Sequence, residues 1–300
     1  MCLCSQAYSG RVKLEEIVRI VTDSSCDLPR RLVERFKISI VPLIVRFGPN
    51  VYRDGELPVD GFWEKTTGPH RPQTSQPPVG EFETLFDQLV AKGKQVLCLT
   101  VTSKHSGTFN AARLAAERFG EAVKVFDSFS FSLGLGLQAL TAAQAARAGR
   151  TMQETLALLE DLRARMHMTI VLDTLESLRR GGRADAFIAI VDRMTQVLNI
   201  KPIVNTINGQ LRLLGAARSF KGGLKRVLDQ VEGLGPLEHL AVVHTRRHEI
   251  AEEMADRLAE RIAFPRERIW VGETGAVLSC HAGAGVIGVM AVTHPSTCPG

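Results

Sequence analysis

Side chains that stack on nucleobases are scarce: the 300 residues include two Trp and two Tyr. Charge of one sign is not in large excess either, with 37 Lys and Arg against 32 Asp and Glu. That dispersed surplus, with so few aromatic platforms, excludes the footprint of a nucleic-acid binder. No apolar run approaches the ~18 residues of a membrane helix. Residues 1–16 lack a charged segment followed by an apolar one, so no secretory signal is expected. Six cysteines in so long a chain are not a disulfide framework, and reduced thiols in a cytoplasm are the expectation. The familiar catalytic signatures are missing as well: no GxxxxGK[ST], no HExxH, no CxxC pair, no GxSxG.

What is present reads as a globular α/β protein. Hydrophobic residues make up 45% and charged residues 23%, and a chain of this size buries roughly 75% of its unfolded surface. Residues 1–16 read as a loose tail. A strand over Val18–Val21 is followed by a short helix from Pro29 to Phe36, a strand over Ile38–Phe47 and a Gly- and Pro-rich loop to Pro78. Val79, Phe82, Leu85, Phe86, Leu89 and Val90 repeat at helical spacing. Strands Val96–Val101 and Val123–Phe126 alternate with helices, and Thr151 with Glu154 forms a capping box. This alternation predicts a mostly parallel sheet covered on both faces. The second half starts with a strand at Thr169–Leu172 and an apolar helix over Ala184–Leu198. Asn208-Gly209 signals a hairpin. Helices at Ser219–Val231 and His248–Ile262 and strands at Leu240–His244, Ile269–Glu273 and Val286–Val292 complete a sheet with antiparallel members. The domain boundary is expected near residues 165–175.

Several segments carry candidate chemistry. TSKHSGT (102–108) runs from a buried strand into a helix start, where unpaired N–H groups, the Ser106 and Thr108 hydroxyls and the open backbone at Gly107 suit an anion. Simple helix capping is the plainer reading of that segment alone. Thr74-Ser75-Gln76-Pro77 repeats the situation before the next helix. Two such starts on one sheet edge fit ligand binding outside the carboxyl ends of strands. Gly283-x-Gly285-x-x-Gly288 imitates a dinucleotide fingerprint, but it precedes a strand and only twelve residues follow it. What survives there is His281 in a glycine-rich loop. GLGLQA (134–139) is a second decoy. Arg179, Arg180 and Arg183 around Gly181-Gly182 offer a bidentate anion partner or a solvated basic turn. Asp23-Ser24-Ser25 at the first strand end is either a capping turn or a catalytic group. The chain is therefore richer in anion donors and apolar mass than in nucleophile–base pairs, which favours binding over turnover.

Taken in order, IVTDSSCDLP (20–29), TSQPPVGEF (74–82), LTVTSKHSGTFNAA (99–112), VFDSFSFSLGLG (125–136), LDTLESLRRGGR (172–183), IKPIV with the following NG and Arg218 (200–218), and CHAGAGVIGV (280–289) resemble the DegV family, bacterial fatty-acid-binding proteins that partner a fatty-acid kinase. The resemblance implies two domains, a three-layer α/β/α unit with a parallel sheet (18–168) and a two-layer α/β unit with a mixed sheet (169–300), after an N-terminal extension (1–17). It implies one long-chain fatty acid between them, its carboxyl group held by Thr74 and Ser106. Arg183 and His281 belong to the same polar end, with Ser75, Gly107, Thr108 and Ser24 beside it. Arg218 resembles a basic position that contacts the kinase. No catalytic residue, cofactor or metal is implied, and membrane contact would be transient. The family loop usually reads HTGPG where this chain has His281-Ala282-Gly283-Ala284-Gly285. Phe109 replaces a usual Tyr, and Cys26 a small residue. Two other classes remain: a hydrolase or transferase using Asp23, Ser24 or Cys280, and a binding module for another anionic lipid or metabolite.

Overall fold

The computed structural model describes residues 17–174 and 200–295. The expected 184–198 helix, Arg179 to Arg183 and the 1–16 tail lie outside them.

Strand β1 (Val18–Asp23) ends in a tight 3-10 turn at Ser24–Cys26 and leads to helix α1 (Arg30–Phe36). The expected single strand over Ile38–Phe47 is two strands in different sheets. Strand β2 (Ser39–Val41) pairs with β1, and β3 (Ile44–Phe47) joins a separate sheet. Pro42 stands at the break, where its missing N–H cannot continue a ladder. The stretch read as loop folds into β4 (Asn50–Arg53), helix α2 (Val59–Thr66) and β5 (Pro72–Ser75). Strands β4-β3-β5 form a small antiparallel sheet. Their four-residue lengths gave too short a pattern to stand out among Gly and Pro.

Helix α3 (Val79–Val90), strand β6 (Gln95–Thr100), helix α4 (Thr108–Ala116), strand β7 (Val123–Asp127), helix α5 (Leu133–Arg147) and helix α6 (Met152–Ala164) follow. Strands β2-β1-β6-β7 make a parallel sheet. Side chains alternate across it: Leu97 and Leu99 of β6 meet α5 and α6, while Val96 and Cys98 meet Phe82 and Phe86 of α3 and Ala111 and Ala115 of α4. That is the three-layer arrangement. The capping box at Thr151 is formed, with its hydroxyl and the Glu154 carboxylate each taking the other residue's backbone N–H.

Strand β8 (Met166–Val171) opens a six-stranded mixed sheet completed by β9 (Lys201–Ile207), β10 (Gln210–Ala217), β11 (Leu237–His244), β12 (Ile269–Glu273) and β13 (Ile287–Thr293). The spatial order is β10-β9-β8-β13-β11-β12. The β9–β10 hairpin turns at Asn208 and Gly209, both at positive φ (49° and 77°), as a type I′ turn requires. Helices α7 (Phe220–Glu232) and α8 (His248–Ile262) cover one face through Val227, Val231, Met254 and Leu258. Helix α9 (Ala276–Ala282) precedes β13.

Helix α5 joins the two large sheets. Its first two turns are apolar and small-sided on every side, the signature of a segment with no solvent face, and Gln144 and Arg147 reach solvent towards its end. Leu135 and Ala139 pack on the parallel sheet, whereas Leu133 and Leu137 pack on the mixed sheet beside Met168 and Val243. The GLGLQA glycines find their purpose here. A Cβ on Gly136 would sit 2.5 Å from the Cys26 carbonyl oxygen, and one on Gly134 2.1 Å from Ser130 Oγ. Gly136→Ala should therefore push α5 off the 24–28 loop and cost about 2 kcal/mol, read as a lower urea midpoint with unchanged slope.

Candidate functional site

A cavity of about 370 Å³ opens between the carboxyl ends of the parallel strands and the inner face of the mixed sheet, within the size range of small-molecule sites. The parallel sheet contributes the residues following β1 (Ser25), β6 (Val101, Thr102) and β7 (Phe131, Ser132). The mixed sheet contributes an apolar wall from Ile170, Leu172, Val204, Leu211 and Val243. These wall residues belong to the apolar cluster that α5 and α6 cover in part. Helix α9 adds Val277, Leu278, His281 and Ala282.

One set of polar groups gathers where the small antiparallel sheet meets α9. Thr74 Oγ1 lies 2.7 Å from His281 Nε2, although the two are 207 residues apart in sequence. The small antiparallel sheet makes this contact: Val45 beside Thr74 and Ala276 and Val277 of α9 share one core with Phe47 and Phe62. Ser75, Gln76, Ser106 and Gly107 line the same end. Ser106 Oγ is 2.8 Å from Thr108 Oγ1 and accepts from the Thr108 N–H. Thr108 itself is buried and opens α4. Gly107 permits the close approach of Gln76, whose Oε1 would lie 1.8 Å from a Cβ there.

The remaining expected site residues lie elsewhere. Ser24 turns its hydroxyl to the Asp54 carboxylate (2.7 Å) and accepts from the Leu43 N–H; its neighbour Ser25 reaches the cavity. Arg218 is exposed between β10 and α7. Arg183 lies outside the described residues. His281 is not in a loop as expected. It occupies the last turn of α9, which ends where Gly283 and Gly285 take positive φ. The run Ala276 to Cys280 was too short to read as a helix against the glycines behind it.

Several functional-looking residues escaped the sequence reading. His105 lines the cavity, and its Nε2 accepts from the Leu211 N–H at 3.0 Å, which places its proton on Nδ1. The Thr102 hydroxyl donates to the Gly209 carbonyl. The loop after β6 thus holds the β9–β10 hairpin by two bonds. His244 is pushed below its ordinary pKa by burial, and its Nδ1 accepts from the Arg247 N–H. No Lys or Arg lines the cavity among the described residues; three imidazoles, with hydroxyls, do.

Behind the lining hydroxyls stand buried carboxylates. Ser25 donates to Asp23 Oδ1 (2.5 Å), and Asp23 Oδ2 accepts from the Val101 N–H (2.6 Å). Ser132 donates to Asp27 Oδ2 (2.6 Å) while its backbone is held at φ 51°, ψ −142°. So strained a conformation survives only where surroundings fix it, and here the Ser25 carbonyl accepts its N–H. Burial, opposed by these hydrogen bonds, raises the pKa of Asp23 to about 6 and of Asp27 to about 7. Asp54 is also raised by burial, and Cys26 and Cys98 stay thiols for the same reason. Among the described residues no cluster of three or more His, Cys, Asp or Glu is placed to hold a metal ion, and no helix is long and apolar enough to cross a membrane.

Such carboxylates hold their protons more tightly folded than unfolded. Their contribution to stability is complete below about pH 4, the unfolded value, and is lost as pH rises through 6 to 7. Asp27→Asn removes the group's share of that loss. Its stability relative to wild type should rise on the order of 2 kcal/mol between pH 5 and pH 8, measured by denaturant unfolding at both pH values. A pH-independent difference would contradict the raised proton affinity.

A parallel sheet and a mixed sheet joined by a shared helix, with a small antiparallel sheet beside them and a cavity between, define the class as a mixed α/β protein. Comparison with known proteins then names the family. The family described as "Uncharacterised protein, DegV family" matches residues 17–294. A DegV domain-containing protein of Deinococcus radiodurans is 33% identical over 280 residues, 91% of this chain and 97% of that one. Among solved structures, a DegV family protein from Thermus thermophilus, described by its fatty acid binding, superposes with a TM-score of 0.81 at 30% identity over 92% of this chain and 99% of its own. DegV of Bacillus subtilis, described as a fatty acid binding protein, has a TM-score of 0.81 at 28% identity over the same shares, 92% and 99%. The chain belongs to the DegV family.

Proposed function

We propose that this chain binds one long-chain fatty acid in the cavity, lying between a domain of residues 18–168 and one of residues 169–300, and presents its carboxyl group to a separate fatty-acid kinase. The observation that carries this reading is the division of the cavity: hydroxyls and imidazole at the Thr74–His281 end, aliphatic side chains along the mixed sheet. An acid head and an apolar tail need that pair of surroundings. Burying about 14 methylenes at ~0.8 kcal/mol each is worth roughly 11 kcal/mol gross, before the costs of association and ordering. The tail supplies affinity, and the head sets orientation.

In this reading Thr74 and Ser106 donate to the carboxylate oxygens. His281, held against Thr74, shares the head group, and Arg183 supplies its counter-charge. Ser75 and Gly107 complete the rim. The kinase transfers the terminal phosphoryl group of ATP to the carboxylate, giving an acyl phosphate that this protein keeps sheltered. Arg218, exposed beyond the hairpin, suits contact with that partner. Fatty acid arrives from a membrane surface by transient contact in the cytoplasm. The fatty acid binding described for the proteins from T. thermophilus and B. subtilis supports the ligand class.

Titration calorimetry with palmitate tests the residue roles. Thr74→Ala should raise Kd about tenfold, since a hydrogen bond to a charged acceptor contributes ~1.5 kcal/mol or more, and Ser106→Ala should act similarly. Unchanged affinity in the double variant would overturn the assignment of the head group to this end.

A further inference from the structure

Helix α9 is short, and a helix of two turns does not hold itself together. Two carboxylates from distant parts of the chain stand at its start. Asp27 Oδ1 accepts from the Gly275 N–H at 2.9 Å, and both Asp54 oxygens lie beside Gly275. Each carboxylate also takes one hydroxyl from its own side, Ser132 on Asp27 and Ser24 on Asp54. The two lie side by side: a Cβ on Gly275 would be 3.3 Å from Asp27 Oδ1 and 3.8 Å from both Asp54 oxygens. At the opposite end of the same helix His281 meets Thr74.

Neutral side chains cap a helix as well as carboxylates do. Two buried like charges set together cost desolvation and mutual repulsion. The arrangement is therefore poor as a mere cap and sensitive as a proton-dependent hook. We infer that Asp27 and Asp54 are positioning residues of the head-group site: through α9 they set how firmly His281 closes on Thr74, and loss of the proton held by the pair, which leaves two buried like charges, loosens that closure and speeds ligand release. The functional half of this inference rests on the fatty-acid reading above; the mechanical half does not.

Burial is the chief cause of the raised Asp27 pKa, and the charged groups that add to it are the carboxylates of Asp54 and Asp23. Cys26 beside it remains a thiol. Asp23 is committed to Ser25 and Val101 and has no bond to α9 among those described. On the other side, Glu273 of β12 accepts from the Arg246 N–H. The titratable residues of α9 itself are Cys280 and His281, at its far end.

Two measurements test the inference on the full chain. The first is amide hydrogen exchange of residues 274–283 without ligand, corrected for intrinsic chemistry. Protection should rise about tenfold from pH 8.5 to pH 5.5 in wild type and stay flat in Asp27→Asn and Asp54→Asn. The second is transfer of bound oleate to phosphatidylcholine vesicles. The wild-type release rate should fall about tenfold over that range, with the variants slow and varying less than twofold throughout. The variants leave oleate and His281 unchanged, so the difference between profiles isolates the pair. Ser132→Ala, which removes a donor that favours the charged Asp27, should move the wild-type midpoint to higher pH, and it serves if an Asn variant does not fold. Identical pH profiles in wild type and variants, or pH-independent protection of α9 in wild type, would overturn the inference. Failure of oleate to bind at any pH, with α9 protection behaving as expected, would instead refute the fatty-acid reading and leave the hook standing.

Discussion

Among the described residues, the mixed sheet has one apolar face fully covered by helices and one covered only in part. Helices α7 and α8 bury the outer face through Val227, Val231, Met254 and Leu258. The inner face is met by Leu133 and Leu137 of α5 and by Leu162 of α6, and beside these contacts Ile170, Leu172, Val204 and Val243 also front a cavity. Where that wall faces the cavity, no side chain among the described residues covers it, and it forgoes dispersion contacts and hydrophobic stabilisation there. That uncovered wall is the constraint on which the ligand site depends. It asks for an occupant that is long and aliphatic, and the rest of the structure decides how such an occupant enters and how its other end is held.

Three devices answer that second question. Helix α5, admitted between the sheets by Gly134 and Gly136, fixes their separation. The loop after β6 grips the β9–β10 hairpin through Thr102 and His105, holding that part of the mixed sheet. The small antiparallel sheet carries Thr74 to His281. Each joins segments far apart in the chain, so the polar end exists only in the folded whole. The carboxylates behind Ser25 and Ser132 organise the lining without facing the cavity themselves, which explains why the polar end is furnished with hydroxyls and imidazoles.

Much of this was legible in the residues. The alternation of apolar strands with helices announced the parallel sheet, Thr151 and Glu154 their capping box, and Asn208-Gly209 its hairpin, because each rests on local chemistry. The break at Pro42 was open to inspection but was hidden by the long apolar run around it. The small sheet was missed because strands of four residues give too little periodicity among Gly and Pro. Thr74 and Ser106 could be suspected as hydroxyls at helix starts, and the family resemblance joined them to His281. Asp27 and Asp54 carried no local signal. An Asp after a turn and an Asp before Gly read as ordinary turn residues, and only long-range packing reveals that they meet at the start of α9.

The central claim, that an apolar chain with an acid head fills the cavity, is tested most directly by native mass spectrometry of the purified protein, followed by denaturation and identification of whatever is released. The account predicts a single added mass equal to one long-chain fatty acid, lost on unfolding. A folded protein that carries no such mass and takes up none when offered palmitate or oleate would contradict it.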